Sequence, residues 1–244
     1  GTKTFSVSLN TAGTATITAS DVTAPAITAN TSPSITVNTG AFSQLQVLLP
    51  GEVADPGSAT GKTAATPTAQ TAGTALSVTV NAVDSRFNLI NTITETVAIT
   101  SSDANATLPA NAALVAGTQS FSITFKTAGS RTVTATGTQT GTSAAVTVNA
   151  GALAKLQLLV PGEVAAPGTG TGKTAATPTV QTAGTAFSVT VNGVDANWNV
   201  VSSAIDNIAI TSTDPDATLP GNAVLVSGTK TFSVSLNTAG TATI

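Results

Sequence analysis

Apolar side chains along this chain fall at every second position in short runs, and each run is bounded by Gly, Pro, Asn or Thr. Leu45, Val47 and Leu49 form one run, and Leu76, Val78 and Val80 a second. Val97 with Ile99, Phe121 with Ile123 and Phe125, Val133 with Ala135, and Val146 with Val148 continue the series. A period of two puts one face of a pleated strand in a core and the other in solvent. Turn-forming stretches separate the runs: Thr71 to Gly73, Asn81 to Asn88, Ala110 to Asn111, Thr127 to Gly129 and Gly137 to Gly141. No segment sustains a 3.6-residue period, so helix is expected to be nearly absent.

The pattern repeats. Residues 40–116 realign with 151–227 at an offset of 111 without a gap, with 48 of 77 positions identical. Residues 1–17 and 228–244 are identical throughout, whereas 1–17 and 117–133 agree at 8 of 17 positions. Two repeat types therefore alternate, at spacings of 116 and 111 residues. The expected division is a C-terminal part of one repeat over 1–39, a complete repeat over 40–150, and a repeat lacking its last strands over 151–244. Its missing strands would come from an array that continues or from an adjacent subunit, and the identity of 1–17 with 228–244 favours the array.

About seven short strands per repeat predict an all-β fold of tandem immunoglobulin-like β-sandwich repeats of about 111–116 residues. The phrases Ala72-Gly-Thr-Ala-Leu-Ser-Val-Thr-Val-Asn-Ala-Val-Asp84 and Thr127-Ala-Gly-Ser-Arg-Thr-Val-Thr-Ala-Thr136 carry a resemblance. They resemble bacterial Ig-like (Big-type) tandem repeats of very long cell-surface, adhesin or filament proteins. That resemblance implies a sandwich fold and no shared active site. Pro50–Pro67 departs from the shorter connections expected there, and its 17 residues Pro50–Thr66 are long for a sandwich connection. Long loops tend to be functional, so this one is expected at a repeat junction or against a neighbouring chain. Only Ala150-Gly151-Ala152 links the second repeat to the third, which predicts a stiff junction.

Composition removes most chemistry. The chain has no Cys, His, Met or Tyr, and Thr fills about a fifth of its 244 positions. A catalytic triad, a thiol nucleophile and a His- or Cys-ligated metal are therefore excluded, and no enzyme is expected. With 8 basic and 11 acidic residues, net charge −3, nucleic acid is not an expected partner. No apolar stretch is long enough to span a membrane.

What remains are loop residues. Asp103 with Asn105, and Asp214 with Asp216, are candidate calcium ligands, set against the commoner role of Asp and Asn in bonding their own turn. Asp84 to Asn88 and Asp195 to Asn199 repeat the same chemistry. Trp198, with Phe87 as its counterpart, is a candidate sugar-stacking residue, set against a place in the core. Gly57 to Thr63 and Gly168 to Thr174 mimic a phosphate loop but have one residue too few between the glycines and open no helix. Lys62 and Glu52 would suit an isopeptide cross-link only if the fold joined them to a suitable Asn. No cofactor is otherwise expected. The sequence thus predicts a structural segment of a long extracellular fibre, stalk or surface layer, at the cell surface, partnered head to tail by copies of itself or adjacent repeats. The alternative is an adhesin module holding surface glycans, with or without calcium.

Overall fold

Alternation along the chain becomes alternation across a pleated sheet: in Leu76-Ser77-Val78, Ser77 is exposed between two buried neighbours. The computed structural model describes residues 1–63, 66–174 and 177–244, and every regular element among them is a strand. The first stretch holds β1 (Gly13–Ala15), β2 (Thr18–Ala19), β3 (Asn30–Thr31) and β4 (Ile35–Val37). The middle unit begins with β5 (Gln44–Leu48), β6 (Gln70–Thr71), β7 (Ala75–Val83), β8 (Thr96–Ser101) and β9 (Ala112–Ala113). It continues through β10 (Thr118–Thr124), β11 (Gly129–Arg131), β12 (Val133–Thr136), β13 (Thr140–Thr142) and β14 (Val146–Asn149). The last unit holds β15 (Lys155–Leu159), β16 (Ala186–Val194), β17 (Asn207–Ile208), β18 (Ala223–Val224) and β19 (Thr229–Ser235). Among the described residues no helix is long and apolar enough to cross a membrane.

The fold is an all-β sandwich. In the middle unit, antiparallel β10–β7–β5 faces β13–β12–β8–β9, and β14 joins β11 antiparallel and β6 parallel. Val47, Val78, Phe121 and Ile123 from the first sheet meet Val97, Ile99, Val133 and Ala135 from the second. Phe125, fully buried, lies in the same core. A second core, around Val189, Val191, Leu225, Phe232 and Val234, belongs to the last unit, where β15–β16–β19 repeats β5–β7–β10. The long runs are the strands that the alternation predicts; β6, β9, β11 and β13, of two or three residues each, are too short to leave such a signal.

One strand is buried on both faces. Gln46 should face water by alternation, yet it is as buried as Leu45, because the loop after Pro50 folds back over the outer side of β5. A buried amide must keep its hydrogen bonds. Gln46 Nε2 donates to the Gly61 carbonyl, Gln46 Oε1 accepts from Asn81 Nδ2 at 3.1 Å, and Asn81 Oδ1 accepts from Thr118 Oγ1 at 2.8 Å. The last unit repeats this ladder as Gln157, Asn192 and Thr229, with Gln157 Nε2 on the Gly172 carbonyl.

Candidate functional site: the joint between successive units

The turn after β7 is built on Asp84. Its Oδ1 accepts the backbone N–H of Arg86 at 2.8 Å and of Asn88 at 3.0 Å. Its Oδ2 accepts the N–H of Gly40 at 2.8 Å and Asn88 Nδ2 at 3.0 Å. Asp195 does the same after β16, with Asn197, Asn199 and Gly151 in the corresponding places. Each carboxylate therefore fixes the rotamer of an Asn four residues on and pins the linker by which the chain enters the unit.

That oriented Asn reaches across the junction. Asn199 Nδ2 donates to the Lys126 carbonyl at 2.9 Å, and Asn199 Oδ1 accepts from the Ala128 N–H at 2.8 Å. A side-chain amide can donate and accept at once, so it grips a peptide segment at two points. Asn88 makes the same pair with Asn10 and Ala12, at 2.9 and 2.8 Å. Two junctions 111 residues apart thus share one geometry.

The receiving turn is held by the other acid. Asp103 Oδ2 accepts the N–H groups of Lys126 and Thr127 at 2.7 and 2.9 Å, and Asp103 Oδ1 accepts that of Asn105. Asn105 Nδ2 in turn reaches the Pro167 carbonyl of the next unit at 3.2 Å. Pro167 lies on the counterpart of the long loop, whose tip therefore sits at the junction. At the first junction Thr11 Oγ1 donates to the Pro56 carbonyl at 3.3 Å. Asp214 repeats the arrangement with Asn237, Thr238 and Asp216.

These contacts engage the side chains of three of the four residues singled out as calcium candidates, Asp103, Asn105 and Asp214, and only the backbone of Asp216. The oxygens of Asp103 and Asp214 receive N–H or O–H donors from their own turn and from the turn 23–24 residues on, where a cation would need free lone pairs. The Asp216 carbonyl accepts from Asn237 Nδ2, and Asn105 serves the junction. Among the described residues no three acidic side chains converge.

The donors also set the titration of these acids. Asp214 is lowered to about 2, chiefly by the Thr238 N–H, against the opposing effect of burial. At Asp103 burial raises the pKa, and the N–H groups of Thr127, Lys126 and Asn105 with the Thr127 hydroxyl overcome it, so the net direction is down. Burial likewise opposes, and the Gly40 and Asn88 donors outweigh, at Asp84. A depressed folded pKa contributes stability above the unfolded value of about 4 that is lost as pH falls through the folded value. Thermal melts should therefore hold steady above about pH 5 and fall progressively from pH 4 towards pH 2. Asp214→Asn should flatten part of that fall and lower the melting temperature at pH 7. An unchanged pH profile in the variant contradicts this.

Trp198 lies neither in the core nor free. It and Phe87 are half-buried and adopt φ of 68° and 63°, a left-handed conformation uncommon for large side chains. Phe87 and Trp198 N–H groups donate to the Asp84 and Asp195 carbonyls at 3.0 and 3.1 Å, which holds that turn. The turn lays each ring on the long loop, Phe87 against Gly61 and Trp198 against Gly172, where a Cβ would overlap the ring. Trp198 Nε1 donates to the Gly170 carbonyl at 3.3 Å, and Lys155 Nζ stands 3.5 Å from the ring centroid. Gly172 also has φ +73°. Gly172→Ala should therefore destabilise the last unit by about 1–3 kcal/mol in urea unfolding. Gly221→Ala, with open space around it and no positive φ, serves as the neutral comparison.

The phosphate-loop mimic belongs to the same loop and its lysine is occupied. Lys62 Nζ donates to Glu52 Oε1 at 2.8 Å and to the Val47 carbonyl at 2.7 Å, with the Glu52 side chain 1% exposed. Lys173 pairs with Glu163 at 2.8 Å. Lys62 and Glu52, named for a possible isopeptide, thus meet as an ion pair that clamps the loop onto β5.

No family model matches the chain, and no curated protein does. Solved structures give distant likenesses. Domains 4–9 of the surface layer protein SbsC are 18% identical, with a TM-score of 0.32, covering 94% of this chain and 32% of that one. Domains 5–6 of the same S-layer protein are 20% identical, with a TM-score of 0.29, covering 78% and 85%. A putative membrane anchored protein from Corynebacterium diphtheriae is 12% identical, with a TM-score of 0.31, covering 86% and 54%. The chain thus spans about a third of the first of these. Likeness at this level assigns no role, so function is argued from the joint.

Proposed function

We propose that this chain is a structural segment of a repetitive bacterial surface protein, a fibre, stalk or surface layer, whose job is to keep successive sandwiches in fixed relation. The observation that carries the reading is the repeated joint: Asn88 and Asn199 make the same two-point grip on the preceding unit, each oriented by its own Asp. A device that recurs with each repeat, in a chain without His or Cys, supports a role in mechanical continuity. The resemblance of the strand phrases to bacterial Ig-like repeats supports the same reading, as does the small number of charges. Immunogold labelling of intact cells of the source organism should decorate the outer surface. Labelling only after permeabilisation contradicts the placement.

A glycan-binding adhesin through Trp198 has less behind it, because that ring is committed to Gly172, Gly170 and Lys155. A glycan array on the whole chain discriminates: binding that disappears with Trp198→Ala favours the adhesin.

A further inference from the structure

Asn199 grips two consecutive peptide groups of the middle unit, and each is held from behind by a charged side chain of that unit. The first group is the Lys126 carbonyl with the Thr127 N–H. Its carbonyl accepts from Asn199 Nδ2 at 2.9 Å, and its N–H donates to Asp103 Oδ2 at 2.9 Å. The second is the Thr127 carbonyl with the Ala128 N–H. Its N–H donates to Asn199 Oδ1 at 2.8 Å, and its carbonyl accepts from Arg131 Nε at 3.0 Å. Arg131 Nη2 also donates to the Ala128 carbonyl at 2.7 Å, and the Lys126 N–H donates to Asp103 Oδ2 at 2.7 Å. Every backbone polar group of Lys126, Thr127 and Ala128 is therefore engaged, by one anion, one cation and one amide.

Hydrogen bonds linked in this way polarise one another. An N–H that donates to a carboxylate makes the carbonyl of its own peptide group a better acceptor. A carbonyl that accepts from a guanidinium makes the N–H of its group a better donor. Asp103 thus favours the bond that Asn199 Nδ2 donates, and Arg131 favours the bond that Asn199 Oδ1 accepts. Arg131 also fixes the peptide planes, because its rigid fork reaches two carbonyls at once.

The joint at Asn88 is built without that cation. Asn10, Thr11 and Ala12 stand where Lys126, Thr127 and Ala128 do, and Asn88 makes the same two bonds to them. The acid belongs to both repeat types, since Asp214 accepts the N–H groups of Asn237 and Thr238 as Asp103 does those of Lys126 and Thr127. The place of Arg131 is taken by Ala15, which pairs with Ile35 as Arg131 pairs with Val146, and by Ala242 in the other copy of that repeat type.

We propose that Arg131 is a positioning residue of the joint, orienting and polarising the receiving peptide for Asn199, so that the joint after the middle unit is braced in a way that the joint at Asn88 is not. The two repeat types then differ in the joint each offers its successor. This deepens the reading of the chain as a jointed structural segment. It is tested on the purified chain in solution, so its outcome is separate from where labelled cells place the protein.

Amide hydrogen exchange followed by NMR reads both grips, because the Ala128 and Ala12 N–H groups each end on an Asn side-chain oxygen. Arg131→Ala should lower the protection of Ala128 about tenfold, the scale of a hydrogen bond to a charged group. Ala12, and the Val78 and Ile99 amides of the middle core, should exchange as in the parent chain. Arg131→Lys, which keeps the charge without the fork, should fall between. Ala15→Arg should raise the protection of Ala12. Protection of Ala128 that survives Arg131→Ala, or of Ala12 that does not respond to Ala15→Arg, overturns the proposal. So does an equal loss at Val78 and Ile99, which makes Arg131 a general stabiliser of its unit.

Discussion

Replacing both Asn88 and Asn199 by Ala should release the units from one another while leaving each folded. Each amide supplies one donor and one acceptor to the preceding unit, and a hydrogen bond of this kind contributes about 0.5–1.5 kcal/mol net. Losing two per junction should cost about 1–3 kcal/mol of junction stability, enough to turn a fixed joint into a hinge. Small-angle scattering should show the maximum dimension distribution broaden, while circular dichroism keeps its β signature. The Asp partners give the control. Asp195→Asn leaves a side chain of the same shape but weakens the acceptor that orients Asn199, so an intermediate broadening is expected. If the double variant scatters like the parent chain, contacts at the loop tips, such as Asn105 to Pro167, hold the joint instead.

The largest loss of stability should come from Phe125→Ala. Phe125 is fully buried in the middle core, and its removal leaves a cavity bounded by both sheets. Phe-to-Ala changes at such sites cost about 3–5 kcal/mol. Urea unfolding should therefore show the middle unit's transition move to markedly lower denaturant while that of the last unit, with its own core, stays in place. A single transition that shifts as a whole means that the two cores unfold together.

Much of this architecture is legible in the sequence because the alternation has a period of two and residues 40–116 realign with 151–227 without a gap. The buried valines of β7 and β16, the turns at Gly73 and Gly184, and the long loop after Pro50 all follow from spacing alone. The loop's length already singles it out, and its tip meets the preceding unit. What spacing does not convey is the burial of Gln46 and Gln157. Alternation assigns them to solvent, and only the folded loop covers them. The joint itself hides for a related reason. Asp and Asn in a turn read as local capping, which Asp84 and Asp195 do perform; the second use of each Asn, on a peptide about 70 to 80 residues away in sequence, leaves no local mark. One signal was available. Between Asp84 and Asn88 the residues Ser-Arg-Phe become Ala-Asn-Trp in the next repeat, while the Asp and the Asn four positions apart both persist. The calcium expectation at Asp103 and Asp214 draws on the same short acidic loops, whose oxygens are instead turned towards backbone N–H groups.

Through Asn199 and its surroundings the middle and last units should behave as one body in solution. Residual dipolar couplings for backbone amides in β5–β14 and in β15–β19, recorded on the whole chain in one aligning medium, test it most directly. With the joint fixed, both sets should fit one alignment tensor of the same magnitude and orientation. Two tensors of different magnitude would contradict it, since they mean that the units reorient independently.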